Sequence, residues 1–161
     1  MRIAGIDCGL DGAIAIWNDE ARQVEAIFDM PTFQVRAGKR DLDAQAIVRF
    51  FKDTEPDHVW IEEAIAIPRQ SAYSTGIFFK CYGLILGIIA MAEIPHSTVS
   101  PRSWKRALGV PAEKDAARAR ASQLLPSASG AWKLKKHDGR AEAALLAYYG
   151  SLQIAPRRHR A

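Results

Sequence analysis

Two acidic side chains follow short apolar runs with the composition of buried strands. Asp7 follows Ile3-Ala4-Gly5-Ile6, and Glu62 follows Val59-Trp60-Ile61. A lone charge is very costly to bury, so each acid lies at a sheet edge or has a partner. Taken alone, each also fits an ordinary strand-end or capping acid. Glu63 competes with Glu62, and because strand residues alternate between faces, only one of the two can join Asp7.

Two further acids, Asp138 and Glu142, lie four residues apart in a helix predicted from about His137 to Tyr149. At about 100° per residue the pair continues the apolar stripe of that helix, which comprises Ala141, Ala144, Leu145, Tyr148 and Tyr149. Two like charges that face the protein body repel each other and need a cation. Alternatively, Asp138 caps the helix and Glu142 pairs with Lys135 or Lys136.

The four acids together form an all-oxygen ligand set. Such ligands favour Mg²⁺, with Mn²⁺ as a substitute, over zinc. Two metal ions held in this way can bind the attacking and the leaving oxygen of a phosphodiester. Lys133, Lys135 and Lys136 precede Asp138, and they either neutralise the phosphate or its transition state or form a solvated basic loop. The residues therefore predict a metal-dependent phosphodiesterase site.

The elements that position Asp7 and Glu62 follow from the apolar periodicity. Residues 3–7, 13–17 and 24–30 predict three strands. The first two are joined by a turn, Cys8–Gly12, whose two glycines are expected to take positive φ. A polar loop over residues 32–40 leads to a helix from about Asp41 to Asp53. The short strand 59–61 then delivers Glu62, and residues 64–75 are predicted to form a loop.

The second half is predicted to be mainly helical. A helix over about residues 72–92 is apolar nearly all round, which predicts a central, buried helix. Its apolar run Gly76–Ala92 contains Lys80 and two glycines, so it is too short and too interrupted for a membrane span. After a strand at 96–99, Ser100-Pro101 begins a helix that Gly109 ends. A helix over 113–125, a basic loop over 127–136 and the final helix, ended by Gly150, complete the chain.

This order predicts an α/β fold with a mixed five-stranded sheet and helices on both faces. We expect one domain over residues 1–150 and a basic, disordered tail over 151–161. Residues 1–100 carry a net charge of −5, whereas residues 101–161 carry +9. Such a basic half favours a polyanion partner, of which nucleic acid is the commonest, although a solvated basic surface gives the same charge.

Some classes of protein are disfavoured by the same composition. Cys8 and Cys81 have neither CxxC spacing nor a nearby histidine, so no zinc site is predicted. A reduced cytosolic protein is simpler than one with a disulfide. The N-terminus enters strand pattern directly, without a signal peptide.

Four blocks of the chain resemble the RuvC-like Holliday junction resolvases. The first hairpin corresponds to MRIAGIDCGLDGAIAIW, and the second acidic strand, loop and helix to VWIEEAIAIPRQSAYSTGIFFKCYGLILGII. The remaining blocks are VSPRSWKRALGV and KKHDGRAEAALLAYYG, and the likeness is greatest to the phage and prophage branch. Each block alone is weakly specific, but four in order at compatible spacing over residues 1–150 are strongly specific.

The resemblance implies an RNase H-like fold, a homodimer, divalent metal and paired nicks across a four-way DNA junction, in recombination and repair. By position, it implies Asp7, Glu62, Asp138 and Glu142 as catalytic and metal-binding acids. The setting it implies is the cytoplasm of a bacterium, with a bacterial or phage gene. Bacterial members look as if their last two acids are aspartates three apart. Here the second is a glutamate four residues on, which leaves open whether Asp138 or Glu142 is the closer ligand.

The resemblance also suggests residues that contact DNA. The crossover is expected at the loop and helix start over residues 68–79, with Phe78 more consistent with core packing. Trp104 is also more typical of a core, and Gly83 and Gly87 allow close helix contact, at a dimer interface or within the chain. The predicted DNA-binding residues are Arg69, Gln70, Tyr73, Arg102, Lys105, Arg106, Lys133, Lys135, Lys136 and Arg140.

Other functions fit parts of the same pattern. A ribonuclease acting on RNA–DNA hybrids, or a less selective nuclease on branched DNA, would use the same fold and metals. The glycine-containing turn after Asp7 also resembles the phosphate loop of actin-like kinases and ATPases, but 161 residues cannot supply their two large lobes. A non-catalytic junction-binding protein would not need intact carboxylates.

Overall fold

The computed structural model describes residues 1–66 and 69–154, which form seven strands and five α-helices. The strands are β1 (Arg2–Asp7), β2 (Ala13–Asn18), β3 (Gln23–Asp29), β4 (Thr32–Arg36), β5 (Lys39–Leu42), β6 (His58–Glu62) and β7 (His96–Val99). The helices are α1 (Ala44–Thr54), α2 (Ala72–Met91), α3 (Pro101–Leu108), α4 (Lys114–Leu124) and α5 (Asp138–Ile154).

Five of the strands form one mixed sheet in the order β3-β2-β1-β6-β7. The neighbours β1, β2 and β3 are antiparallel, as their short connections require, whereas β1, β6 and β7 run parallel. Helices α1 and α2 cover one face, and α3, α4 and α5 cover the other, so each face has its own hydrophobic core. The predicted α/β fold with a mixed five-stranded sheet and helices on both faces is confirmed.

The remaining two strands form a separate antiparallel hairpin, β4–β5. The prediction of a polar loop over residues 32–40 was therefore wrong. Phe33 and Val35 alternate with polar residues as in a strand, and Gly38 supplies a positive φ of 71° at the turn. Because both apolar side chains are exposed, no buried face marks this segment as a strand in the sequence.

The central helix is α5, and the prediction that α2 would be central was wrong. Helix α2 buries Cys81, Ile85, Ile88 and Ile89 along one side, while Met91 at its end is 86 % exposed. Helix α5 is buried almost all round, through a run of alanines, leucines and glycines. The reason is steric, because small side chains let a helix lie close to a sheet, and average hydropathy does not record that closeness.

Length and composition alone would let α2, among the described helices, cross a membrane. One such helix is weak evidence for a span, because the core helix of a soluble protein passes the same test. The buried side of α2 packs into the core with Ile6, Ile14 and Ile47.

Helix ends were predicted with mixed success. Ser100 caps α3, with its Oγ accepting from Ser103 N at 3.3 Å, and Gly109 ends the helix in the left-handed region, both as predicted. Helix α5 instead continues through Gly150, whose lack of a side chain admits Trp60. A methyl group there would lie 2.2 Å from Trp60 Cδ1.

The end of the chain and the basic loop also differ from expectation. Residues 151–154, predicted as the start of a disordered tail, are the last turn of α5. The rest of that predicted tail, residues 155–161, lies outside the described residues. The predicted loop over 127–136 contains two short 3₁₀ helices, Pro126–Trp132 and Lys135–His137, anchored by the buried Trp132. Cys8 and Cys81 are both free and buried.

Candidate active site

The carboxyl ends of parallel strands bring the first two acids together. Strands β1 and β6 pair in parallel with Ile6 opposite Ile61, so Asp7 and Glu62 leave the same edge of the sheet on adjacent strands. Of the two neighbouring glutamates, Glu62 is partly buried and Glu63 is exposed. The charge of Glu62 acts on Asp7. Because side chains alternate between the faces of a strand, only one of the two glutamates can be on the same side as Asp7.

The turn after Asp7 is closed by a glycine, but not for the predicted reason. Neither Gly9 nor Gly12 has a positive φ. Gly12 is needed because its backbone passes over Asp7, so that a methyl group there would lie 2.1 Å from the Asp7 carbonyl oxygen. The predicted positive φ at these glycines was therefore wrong, and close backbone approach is the physical reason for Gly12.

Helix α5 lies directly across β1, and two glycines make the contact possible. A methyl group on Gly5 would lie 2.2 Å from the carbonyl oxygen of Ala143. A methyl group on Gly139 would lie 3.0 Å from Asp7 Oδ2 and 2.8 Å from the carbonyl oxygen of Asp11. The first turn of α5 is thereby held against Asp7, a contact that is not evident from the sequence.

Glu142, one turn further along α5, is the third acid of the cluster. Its Oε1 accepts from Lys105 Nζ at 2.9 Å, and about a quarter of each side chain is exposed. Glu142 therefore pairs with neither Lys135 nor Lys136. The predicted inward orientation of Glu142 accounts for its effect on Asp7 and Glu62, whose pKa values its charge raises. The carboxylates of Asp7, Glu62 and Glu142, with the ammonium of Lys105, are called the acid cluster below.

The acid cluster holds more negative charge than its surroundings neutralise. Burial, followed by the charges of Glu142 and Glu62, raises the pKa of Asp7 to about 8, although Lys105 and Lys114 act in the opposite direction. Burial also raises the pKa of Glu62. Burial lowers the pKa of Lys105, but the charge and hydrogen bond of Glu142 and the charges of Glu62 and Asp7 together outweigh burial, so the pKa is raised. Without a further cation, Asp7 therefore keeps its proton at neutral pH.

Trp104 has a role that its place in the sequence does not reveal. It is fully buried, consistent with the expected core position, and its indole Nε1 donates to Glu62 Oε2 at 2.6 Å. This bond opposes the rise in the pKa of Glu62, and it fixes one carboxylate oxygen. Lys105 Nζ lies 5.2 Å from the centroid of the Trp104 ring. Helix α3 therefore contributes two neighbouring side chains to the cluster.

Asp138 stands apart from the other three acids. Its carboxylate accepts from Arg118 and lies 3.5 Å from Lys114 Nζ, both on α4. Arg118 also binds Asp115. Asp138 begins α5, and its negative charge is compensated locally rather than shared with Asp7. In the part of the chain that the structure describes, no three acidic, histidine or cysteine side chains are grouped closely enough to hold one metal ion as they stand.

Most of the basic residues predicted to contact DNA are exposed. Arg102 and Arg106 lie on the outer side of α3, and the three lysines of the 133–136 segment are also exposed. Lys105 instead belongs to the acid cluster. Arg140 is held in a structural fork, with Nε and Nη2 each 2.5 Å from the Asp29 carboxylate and Nη1 donating to the Ala131 carbonyl oxygen.

The segment before α2 was predicted to hold the crossover. Arg69 and Gln70 are exposed, and Tyr73 is 59 % exposed with Lys39 Nζ 4.6 Å from its ring centroid. Phe78 packs against the core, as favoured from the sequence. Pro68, the first residue of the predicted crossover segment, lies outside the described residues.

Solved structures similar to this chain are Holliday junction resolvases. Thermus thermophilus RuvC in complex with a Holliday junction substrate matches with a TM-score of 0.61 and 17 % identity, over 95 % of this chain and 96 % of that chain. The fowlpox virus Holliday junction resolvase has a TM-score of 0.55 and 20 % identity, over 94 % and 99 %. The yeast mitochondrial Holliday junction resolvase has a TM-score of 0.57 and 14 % identity, over 94 % and 80 %.

These likenesses confirm the RNase H-like fold that the sequence predicted. The similarity covers 94–95 % of this chain, and at 20 % identity or below the comparison concerns the fold. No protein-family model and no curated protein sequence matches this chain.

Proposed function

We propose that the protein is a metal-dependent endonuclease that resolves four-way DNA junctions as a homodimer, in the cytoplasm of a bacterial cell and from a bacterial or phage gene. The observation that carries the proposal is the acid cluster, in which three carboxylates meet at the edge of an RNase H-like sheet. Their mutual repulsion leaves a demand for positive charge, and the similar folds are those of junction resolvases.

The donor set fits Mg²⁺ or Mn²⁺. All the available donors are carboxylate oxygens, which hard divalent cations prefer, and Asp7 would give up its proton on binding. We assign Asp7 as the shared ligand, with Glu62 and Glu142 beside it, and Asp138 as the outer ligand of the four. The chemistry that such ions supply is activation of water and stabilisation of the leaving 3′ oxygen.

The chain's own residues prepare this site. Trp104 holds Glu62 in one orientation, so that its other oxygen is free to bind. Lys105 neutralises Glu142 in the metal-free protein. A cation bound by Glu142 would replace Lys105 in that task and would leave the ammonium available to offset charge on the scissile phosphate. Arg118 and Lys114 play the same compensating part for Asp138.

The exposed basic residues extend from the acid cluster as a DNA-binding surface. Arg102 and Arg106 lie on α3, the helix that also supplies Trp104 and Lys105 to the acid cluster, and Lys133, Lys135 and Lys136 precede Asp138. Phosphate contacts of this kind provide affinity and register without reading sequence. We keep Arg69, Gln70 and Tyr73 as candidates for contacting the crossover. Arg140 is better assigned to structure, because Asp29 already satisfies its charge.

The outer side of α2 supports the proposed dimer. Gly83 and Gly87 have nothing within 4 Å of the position that a Cβ would take, so they serve no close packing within the described part of the chain. They line an open apolar groove of about 950 Å³ with Val48, Phe51, Leu84, Ile88, Met91 and Ile94. An exposed apolar surface of this kind marks an interface, and two active sites are needed for paired nicks.

The decisive experiment compares substrates. A synthetic four-way junction, a linear duplex and an RNA–DNA hybrid of matched sequence are incubated with the protein and Mg²⁺, with Asp7→Asn as the inactive control. We expect the junction to be cut at least about tenfold faster than either linear substrate. Equal rates on all three would overturn the junction-resolving assignment, and faster cutting of the hybrid would favour the ribonuclease. Full activity of Asp7→Asn would overturn the catalytic assignment.

A further inference from the structure

We propose that the β4–β5 hairpin is a DNA-binding element that contacts the junction strand next to the acid cluster. The inference rests on the proposed function and adds to it a binding surface that none of the predicted DNA-binding residues includes. This surface, called the hairpin surface below, comprises Phe33, Val35, Arg36, Lys39 and Arg40. It combines exposed apolar side chains with the cations Arg36 and Lys39, while Arg40 anchors the hairpin through its ion pair with Asp11.

Ion pairs place the hairpin beside the acid cluster. Arg40 Nη2 lies 2.7 Å from Asp11 Oδ1, and Asp11 belongs to the turn that directly follows Asp7. The carbonyl oxygen of Asp11 in turn touches α5 at Gly139. The hairpin therefore lies beside the turn that follows Asp7, next to the place where a phosphodiester would bind.

A second set of contacts connects the hairpin to α2. Lys39 Nζ lies over the ring of Tyr73, 4.6 Å from its centroid, and Asp41 is bound by Lys80. An isolated two-stranded hairpin is only marginally stable in water. These contacts, together with the buried Leu42, hold it between the turn after Asp7 and the segment predicted to bind the crossover.

The exposed apolar residues have no structural function within the described chain. Phe33 is 51 % exposed and Val35 is 59 % exposed, on a strand that belongs to no larger sheet. Both follow Met30 and precede Leu42, which are buried and already fix the ends of the hairpin. Side chains that stabilise a hairpin bury their apolar atoms, whereas these two present them to solvent.

The chemistry of the hairpin surface fits DNA better than an apolar protein partner. Arg36 is exposed and lies opposite Lys39 in the hairpin, so the same short hairpin carries two cations and the exposed aromatic ring of Phe33, while Arg40 pairs with Asp11. Such a combination binds phosphates through charge and an unstacked base through the ring, and it needs no particular base sequence. Bases at a branch point are the ones most easily unstacked, which makes Phe33 the natural contact for them.

The experiment measures junction binding and junction cutting separately. Binding is measured by fluorescence anisotropy with a labelled synthetic four-way junction in an Asp7→Asn background with EDTA, and cutting in the otherwise unchanged protein with Mg²⁺. The test variants are Phe33→Ala and the double variant Arg36→Gln with Lys39→Gln. The matched controls are Leu152→Ala, an exposed apolar residue near the far end of α5, and Arg22→Gln, an exposed cation between β2 and β3 at the opposite end of the sheet.

We expect Phe33→Ala to weaken junction binding about tenfold, in the range found for loss of one stacked base. The double variant should reduce the slope of log Kd against log salt concentration by about one for each phosphate that it no longer neutralises. Neither control should change either quantity. Thermal unfolding by circular dichroism, with Phe33→Leu as a variant that keeps an apolar residue without the aromatic ring, separates a binding defect from misfolding.

The possible results distinguish the two proposals. If both test variants bind and cut the junction like the wild type, while Asp7→Asn alone abolishes cutting, the hairpin inference is wrong and the proposed function stands. If the wild type itself neither binds nor cuts the junction, both fall. Loss of affinity in the test variants alone, with unchanged folding, supports the hairpin as part of the DNA-binding surface.

Discussion

At the scale of single residues, Asp7 is unusual because its carboxyl group favours the neutral form at a pH where most aspartates are ionised. Burial and two neighbouring carboxylates raise its pKa to about 8, while an unfolded chain would ionise it near 4. A carboxyl group whose pKa is raised on folding stabilises the protein below the unfolded pKa, and that contribution is lost as the pH rises toward the folded value. The loss therefore falls between about pH 4 and pH 8.

Asp7→Asn should abolish cleavage and stabilise the metal-free protein at high pH. The amide cannot ionise, so the variant avoids the repulsion that ionised Asp7 experiences from Glu62 and Glu142. We expect the difference in unfolding free energy between variant and wild type to grow by a few kcal/mol from pH 5 to pH 8. Urea unfolding in EDTA at the two pH values measures it. A difference that does not change with pH would contradict the assigned pKa.

Trp104→Phe should weaken metal binding without removing a ligand. The variant keeps an aromatic ring in the core but loses the hydrogen bond to Glu62, and loss of such a supporting bond typically costs 10- to 100-fold in metal affinity or activity. Titration with Mn²⁺, followed by electron paramagnetic resonance, measures the affinity directly.

Trp132→Phe is the matched control for that substitution. Trp132 is also buried, and its indole Nε1 donates to Ser122 Oγ at 2.9 Å, away from the acid cluster. We expect its Mn²⁺ affinity to equal that of the wild type even if stability falls. Equal affinity losses in the two tryptophan variants would show that Trp104 acts through packing rather than through Glu62.

At the scale of elements, the site depends on how closely the first turn of α5 approaches the turn after β1. Gly139 faces Asp7 Oδ2, the carbonyl oxygen of Asp11 and the Cα of Gly12. Two of those three neighbours are backbone, which cannot move as freely as the end of a side chain. Gly139 therefore places the acids of α5 relative to Asp7 together with Gly5, which lets β1 and α5 touch further along the helix.

Gly139→Ala should reduce cleavage by at least about tenfold, because displacing a reacting group by even 1 Å can cost 10²-fold, and it should lower the melting temperature by overpacking. Gly130→Ala is the control, since Gly130 has open space where a Cβ would lie. Melting curves and junction cleavage measure the two effects. Wild-type cleavage by Gly139→Ala would show that α5 can shift without disturbing the acid cluster.

Some of these elements were predictable from the sequence and others were not. The strand ends at Asp7 and Glu62 were predictable, because an apolar run followed by an acid has few interpretations. The caps of α3 were predictable, because Ser-Pro and Gly act locally. The central position of α5 instead of α2 was not predictable, since both helices are apolar and only the size of their side chains distinguishes them. The ion pair of Asp138 with Arg118 was also not predictable, because Arg118 belongs to another helix.

At the scale of the whole molecule, prediction from the sequence again fails where residues distant in the chain come together. The charge difference between the two halves predicts a basic region, but which cations are exposed depends on the fold: Arg102 and Arg106 are exposed, whereas Lys105 pairs with Glu142. Similarly, the four predicted acids are separated into a cluster of three and an outer Asp138 by contacts from α3 and α4. These are distant contacts, which no local pattern specifies.

Gly83→Glu should produce a monomer that nicks without resolving. A Cβ at position 83 meets no atom of the described residues. The substitution replaces a helical glycine, which costs nothing in helix propensity, but it adds a charge to the proposed interface. Sedimentation velocity should show the monomer. A cruciform plasmid should give mainly open circles, where paired cuts by the wild type give linear DNA.

Gly130→Glu introduces the same charge at an exposed glycine outside α2, and it should remain dimeric and make paired cuts. A dimer that persists in Gly83→Glu would exclude the groove beside α2 as the interface. A wild-type protein that sediments as a monomer would exclude the dimer altogether.

Gly5 has a consequence for how this protein can change over evolutionary time. The main chains of β1 and α5 touch there, with no side chain between them. This direct contact fixes the distance between Asp7 on β1 and Glu142 on α5. Substitutions of core side chains elsewhere need not alter that distance. One methyl group at Gly5 would push β1 and α5 apart and move Asp7 away from Glu142.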